Sequence, residues 1–207
     1  MTLSTFENIF SNHISYYYLE NQNKFDSDSI HGCIHISRSL IICRWISQQL
    51  NKINIQTDID AISYAVALHD SGRKSNGIDY YENDSSLICH KYLTKIDNPN
   101  ADYISSLIVK NNKNNYNNYD FLCLHDTDVL EILRPSTGIG IQGFNRAYLK
   151  LKDIINYDII FNEVLTFILE TEKLKDEFLD KHSLFNMIQY LKLNKSKFPN
   201  LYACTNS

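Results

Sequence analysis

Between residues 29 and 50 the chain reads SIHGCIHISRSLIICRWISQQL. Ile34, Ile41, Ile42, Trp45 and Leu50 recur there at the spacing of one helix face. The period returns in TDIDAISYAVALHD, where Thr57 or Asp58 is the expected N-cap and Ile59, Ile62, Val66 and Leu68 form the apolar stripe. SSLICHKYLTKI is a shorter helix candidate, NPNADYISSLIVKNN opens on Asn98 or Asn100 as its cap, and YDFLCLHDTDVLEILRP is a strong helix ended by Pro135. Beyond it, IINYDIIFNEVLTFILETEKLKDEF and SLFNMIQYLKLN are amphipathic segments without clustered chemistry. Loops are expected at NNKNNYNNYD, residues 111–120, and at TGIGIQG, residues 137–143. Six glycines and three prolines among 207 residues are too few for a loop-rich all-β fold. The expected fold is therefore all-α, one domain over 1–207, with its chemistry in 29–135 and packing helices over 144–195.

Composition narrows the function classes. Hydrophobic residues make up 43% of the chain, enough for a real core. A formal charge of -4 offers no basic footprint, which argues against nucleic acid as a partner. Cys33, Cys43, Cys89, Cys123 and Cys204 contain no CxxC pair, and an odd count without a framework suits a reducing compartment. MTLSTFENIFSNH shows no basic n-region or long apolar stretch, and no run approaches the roughly 18 apolar residues of a membrane span. The expectation is a cytoplasmic protein, or one delivered into a host cell as an effector without a Sec signal. Fourteen tyrosines, three of them in SYYYLEN, are read as a compositional bias rather than a docking surface.

The polar residues that stand out are histidines and aspartates. His31 and His35, four apart, project from one helix face, and His125 and Asp128, three apart, do the same further on. His69 and Asp70 are adjacent and reach one site only where the backbone turns, as HDSGR suggests. Such a collection suits a divalent metal that activates water, and equally suits acid–base or nucleophilic work on a phosphoryl group. Arg38, Arg73 and Arg134 are candidates for bidentate capture of phosphate. His90 is read as a surface or supporting residue, and His13 and His182 as surface.

A histidine, an HD doublet some 30-odd residues on and an aspartate on a later helix resemble the pattern of the HD-domain phosphohydrolases. The matching residues are His35, His69, Asp70 and Asp128, in the settings HISR, ALHDSGR and TDVLEILRP. The resemblance implies an HD-type helical bundle with additional C-terminal helices. It also implies that these four residues bind divalent metal (Mn, Mg or Fe) for phosphoester hydrolysis.

A narrower resemblance runs through IHGCIHISR, LHDSGRKSNGIDYYENDS and LHDTDVLEILR, which together look like the phosphodiesterase domain of SidE-type bacterial effectors. It implies a phosphodiesterase that cleaves or transfers a phosphoribosyl linkage on ADP-ribosylated ubiquitin or phosphoribosyl-ubiquitin conjugates, with no obligatory metal. His31 would be the nucleophile, His125 the general acid/base, and His35 and Glu82 their support, with Asp79 and Asp84 close to the glutamate's place. No mono-ADP-ribosyltransferase module is legible, so the substrate would be ubiquitin that arrives already modified, or a different phosphodiester. This histidine-based reading is the leading expectation. A metal-dependent HD hydrolase acting on a nucleotide and a non-catalytic nucleotide- or ubiquitin-binding module are the alternatives.

Overall fold

The computed structural model describes residues 1–20, 31–74, 81–109, 117–132 and 148–205. Among them every regular element is a helix, as expected, and no helix is long and apolar enough to cross a membrane. In chain order these are α1 (Leu3–Ile9), a π-helical turn (Phe10–Ile14), α2 (Ser15–Glu20), α3 (Cys33–Lys52), α4 (Ile59–Leu68) and α5 (Glu82–Lys95). Then come α6 (Ala101–Leu107), α7 (Tyr119–Glu131), a 3-10 turn (Tyr157–Ile159), α8 (Phe161–Lys173), α9 (Lys175–Phe178), α10 (Ser183–Leu193) and α11 (Pro199–Thr205). Asp58 caps α4, accepting from the Asp60 and Ala61 amides at 3.1 and 3.0 Å, and Asn118 caps α7. Tyr119 and Asp120, which the expected loop and the expected helix shared, belong to α7. The glycine-rich 137–143 stretch lies outside the described residues.

Helix α3 is the hub. It packs on α4 and α7 along one side and on α10 and α11 along the other, so it is enclosed rather than amphipathic. Its five isoleucines, Ile34, Ile36, Ile41, Ile42 and Ile46, are all 0% exposed. Isoleucine costs a few tenths of a kcal/mol in helix propensity, whereas burying one contributes about 2 kcal/mol, so packing decides the conformation. Two hydroxyl pairs are enclosed with them: the Ser37 and Ser183 hydroxyls meet at 2.7 Å, and those of Ser47 and Thr57 at 2.6 Å. All five cysteines are buried and none forms a disulfide, the behaviour of small hydrophobes.

The end of α4 is held with unusual completeness. A helix leaves its last carbonyls without intrahelical donors. Here side chains supply them: His69 Nδ1–H donates to Val66 O at 2.7 Å, Tyr18 O–H to Ala67 O at 2.8 Å and Ser71 O–H to Leu68 O at 2.7 Å. Tyr17 adds a hydrogen bond to Ser71 O. Two of the tyrosines read as compositional bias therefore clamp the turn that presents His69 and Asp70. Beyond it, Gly72 passes so close to α5 that a Cβ would lie 2.4 Å from the Ser85 amide nitrogen. The Gly72 amide donates to Ser85 Oγ at 2.8 Å, tying the turn to that helix.

Candidate active site

Three helices deliver four side chains to one point: His35 from α3, His69 and Asp70 from the end of α4, and Asp128 from α7. His35 Nε2 lies 3.3 Å from His69 Nε2, 3.4 Å from Asp70 Oδ2 and 3.9 Å from Asp128 Oδ1. His69 Nε2 is 3.6 Å from Asp70 Oδ1 and 3.7 Å from Asp128 Oδ1. The His35 and Asp70 side chains are each 1% exposed, His69 8% and Asp128 20%, so the cluster opens on the Asp128 side.

The tautomers follow from the outer contacts. His35 Nδ1 faces a carboxylate oxygen of Glu131 at 2.6 Å and must donate to it, and His69 Nδ1 donates to the Val66 carbonyl. In neutral imidazoles that arrangement leaves both Nε2 lone pairs directed into the cluster, facing each other. Either a proton or a cation resolves that opposition. Burial alone would lower the pKa of His69, but Asp70 and Asp128 outweigh it and push it up to about 9. For Asp70 and Asp128 burial works in the opposite direction. The neighbouring histidines, with Arg73 beside Asp70, overcome it and hold both carboxyls well below the usual range.

The donor set fits a metal ion. Adjacent ligands at about 2.1 Å from one ion stand roughly 3.0–3.4 Å apart, and the two imidazoles already have that separation. One donor atom from each of His35, His69 and Asp70 can be chosen with all of them within 4.8 Å of one another. Two imidazoles with two carboxylates suit Mn²⁺ or Fe²⁺ better than Mg²⁺, which favours oxygen.

His31 reaches the cluster, its Nδ1 donating to Asp70 Oδ2 at 3.2 Å. Glu82 and His125 line a narrow crevice with about 20 Å³ of free space, together with His69, Asp128, Tyr81, Ile108, Phe121 and Leu124. Arg73 stands at its edge, with Nε 2.8 Å from Asp70 Oδ1 and its guanidinium 3.8 Å over the Tyr81 ring. Arg38, expected to capture phosphate, does not face the crevice. It is 0% exposed behind His35, where Nε donates to Glu131 at 2.7 Å and Nη1 approaches Thr171 and Glu172. Arg134 and Asp79 lie outside the described residues. His90 pairs with Asp102 at the surface, and His13 and His182 are exposed.

Two acidic residues were missed by the sequence reading. Glu131 is one; the spacing of His125, Asp128 and Glu131, three apart each time, is the signal that places it near the site face. Asp126 is the other, and no local pattern marks it. It is fully buried, receives His125 Nδ1–H at 3.0 Å, and accepts from the Lys150 and Leu151 amides at 2.7 and 2.9 Å and from Tyr157 O–H at 2.7 Å. The site is therefore braced by residues beyond 135, through Lys150, Leu151 and Tyr157 at Asp126 and through Thr171 and Glu172 at Arg38. The C-terminal segment thus reaches the back of the site as well as packing.

No protein-family model matches the chain, and no curated protein or solved structure is similar enough to count as a relative.

Proposed function

We propose that the chain is a phosphohydrolase of the HD type, using a divalent metal ion held by His35, His69, Asp70 and Asp128 to cleave a phosphoester. The observation that carries this reading is the meeting of two Nε2 lone pairs 3.3 Å apart with the Asp70 carboxylate 3.4–3.6 Å from them, and with Asp128 3.7–3.9 Å from both imidazoles on the open side. An ion so held supplies charge neutralisation at the phosphoryl group and an activated water nucleophile. The protein's part is orientation. Glu131 and the Val66 carbonyl fix which nitrogen of each imidazole faces the centre. Arg73 brings positive charge to the crevice mouth, where a phosphoryl group enters. His125, with its Nδ1 proton committed to Asp126, keeps Nε2 for exchanging a proton with the leaving group. Tyr81, Ile108, Phe121 and Leu124 form the apolar wall that limits water beside the reacting bond.

The second reading is the histidine-based phosphodiesterase on ADP-ribosylated ubiquitin, the SidE-like mechanism. It is favoured by His31, whose Nδ1 is oriented by Asp70 so that Nε2 is the nucleophilic nitrogen, and by the shared crevice of His125 and Glu82. Effector delivery belongs to that reading alone. The two separate on one panel: nucleotides with Mn²⁺ and ADP-ribosylated ubiquitin are incubated with wild type, His31→Ala and Asp128→Ala. The metal reading expects nucleotide turnover that Asp128→Ala abolishes and His31→Ala leaves largely intact. AMP release from modified ubiquitin, lost in His31→Ala and persisting in EDTA, would establish the second reading instead.

A further inference from the structure

Glu131 is a completely buried carboxylate, 0% exposed, and is not among the residues that line the crevice. One oxygen lies 2.6 Å from His35 Nδ1 and the other 2.7 Å from Arg38 Nε and Nη2. Arg38 is equally buried and continues the chain of contacts to Thr171 and Glu172 on α8. Enclosing such a pair costs several kcal/mol of desolvation that their attraction only partly offsets, so stability is a poor reason for its presence. The two histidines of the cluster also differ. His69 hands its Nδ1 proton to a neutral carbonyl, whereas His35 hands its proton to an anion.

We propose that Glu131 is a positioning residue of the metal centre: it locks His35 in the Nδ1–H tautomer and strengthens Nε2 as a donor, while Arg38 holds the carboxylate at the right place and charge. This rests on the metal reading above and extends it. A carboxylate accepting the outer N–H of a ligating imidazole raises the ring's basicity, and loss of such a partner weakens metal affinity about 10- to 100-fold. Arg38 moderates the effect, since a carboxylate shared with a guanidinium has less charge to lend than a solitary one.

The test is calorimetric titration of EDTA-stripped protein with Mn²⁺, for wild type, Glu131→Gln and the double variant Arg38→Met/Glu131→Gln, each with its melting curve. The amide keeps the size of Glu131 and an acceptor for His35, but turns donors toward Arg38, so the single variant is at risk of misfolding. The double variant removes that conflict by making the buried pair neutral. The expected result is a melting temperature near wild type for the double variant together with Mn²⁺ binding weakened 10- to 100-fold. Wild-type affinity in a folded double variant would overturn the proposal and leave Glu131 a packing residue. Absence of Mn²⁺ binding by wild type itself would remove the metal reading, and this inference with it.

Discussion

The Nε2 atoms of His35 and His69 stand 3.3 Å apart with both outer nitrogens already committed. In the stripped protein a proton on His69 relieves that contact. Its folded pKa, about 9, lies above the ordinary 6.5, so the protonated ring stabilises the fold fully below pH 6.5 and the contribution is lost as pH rises through 9. The melting temperature of EDTA-treated protein should therefore fall between those limits. With Mn²⁺ present the trend in the ligand-induced shift reverses, because binding must displace that proton and strengthens as pH rises. A melting temperature that stays flat across the range in EDTA would show that His69 carries no such proton.

Gly72 is the second point of leverage. A methyl group there would sit 2.4 Å from the Ser85 amide nitrogen and 2.7 Å from two Asp84 atoms, backbone and Cβ. Neither helix end can yield without moving the His69–Asp70 turn. Gly72→Ala should cost about 2 kcal/mol or more and weaken Mn²⁺ binding as well. Ser85→Ala, which removes only the acceptor for the Gly72 amide, should cost about 1 kcal/mol. Chemical denaturation of both variants checks the order.

The tyrosine triplet divides by role. Tyr18 O–H donates to Ala67 O and Tyr17 O–H to Ser71 O, whereas Tyr16 is 40% exposed. Tyr18→Phe should cost about 1 kcal/mol by orphaning a carbonyl under the HD turn, and Tyr16→Phe next to nothing. Equal effects at the two positions would contradict the clamp.

Asp126 should behave as a structural anchor with a functional consequence. Replacement by Ala strips acceptors from two backbone amides, the Tyr157 hydroxyl and His125, and should destabilise by about 3–5 kcal/mol. Tyr157→Phe removes a single donor and should cost only about 1 kcal/mol, which leaves a folded protein for kinetics. Thermal melts of the two variants distinguish a network from independent bonds.

The four cluster residues were legible because helix periodicity and the HD doublet are local signals, readable within a few residues. Helices α3 to α8 and α10 follow from the same periodicity. What escaped depends on distant partners. Arg38, near His35 in sequence, resembled a phosphate ligand until Glu131, 93 residues on, was seen to hold it. Asp126 is defined by residues 24 to 31 positions away, and the tyrosine clamp by pairs about 50 apart. No window of a few turns contains those contacts. The short helices α1 and α2 were likewise unread, because their stabilisation comes from docking rather than from a long stripe.

The most direct test of the central claim is the initial rate of phosphoester hydrolysis on a nucleotide panel, for EDTA-stripped wild type and Asp70→Asn as Mn²⁺ is added back. The account predicts no turnover before addition, saturable activation of wild type as the ion is restored, and no activation of Asp70→Asn. Hydrolysis by stripped wild type at a rate that Mn²⁺ does not raise would contradict it and give the chemistry to the histidines alone.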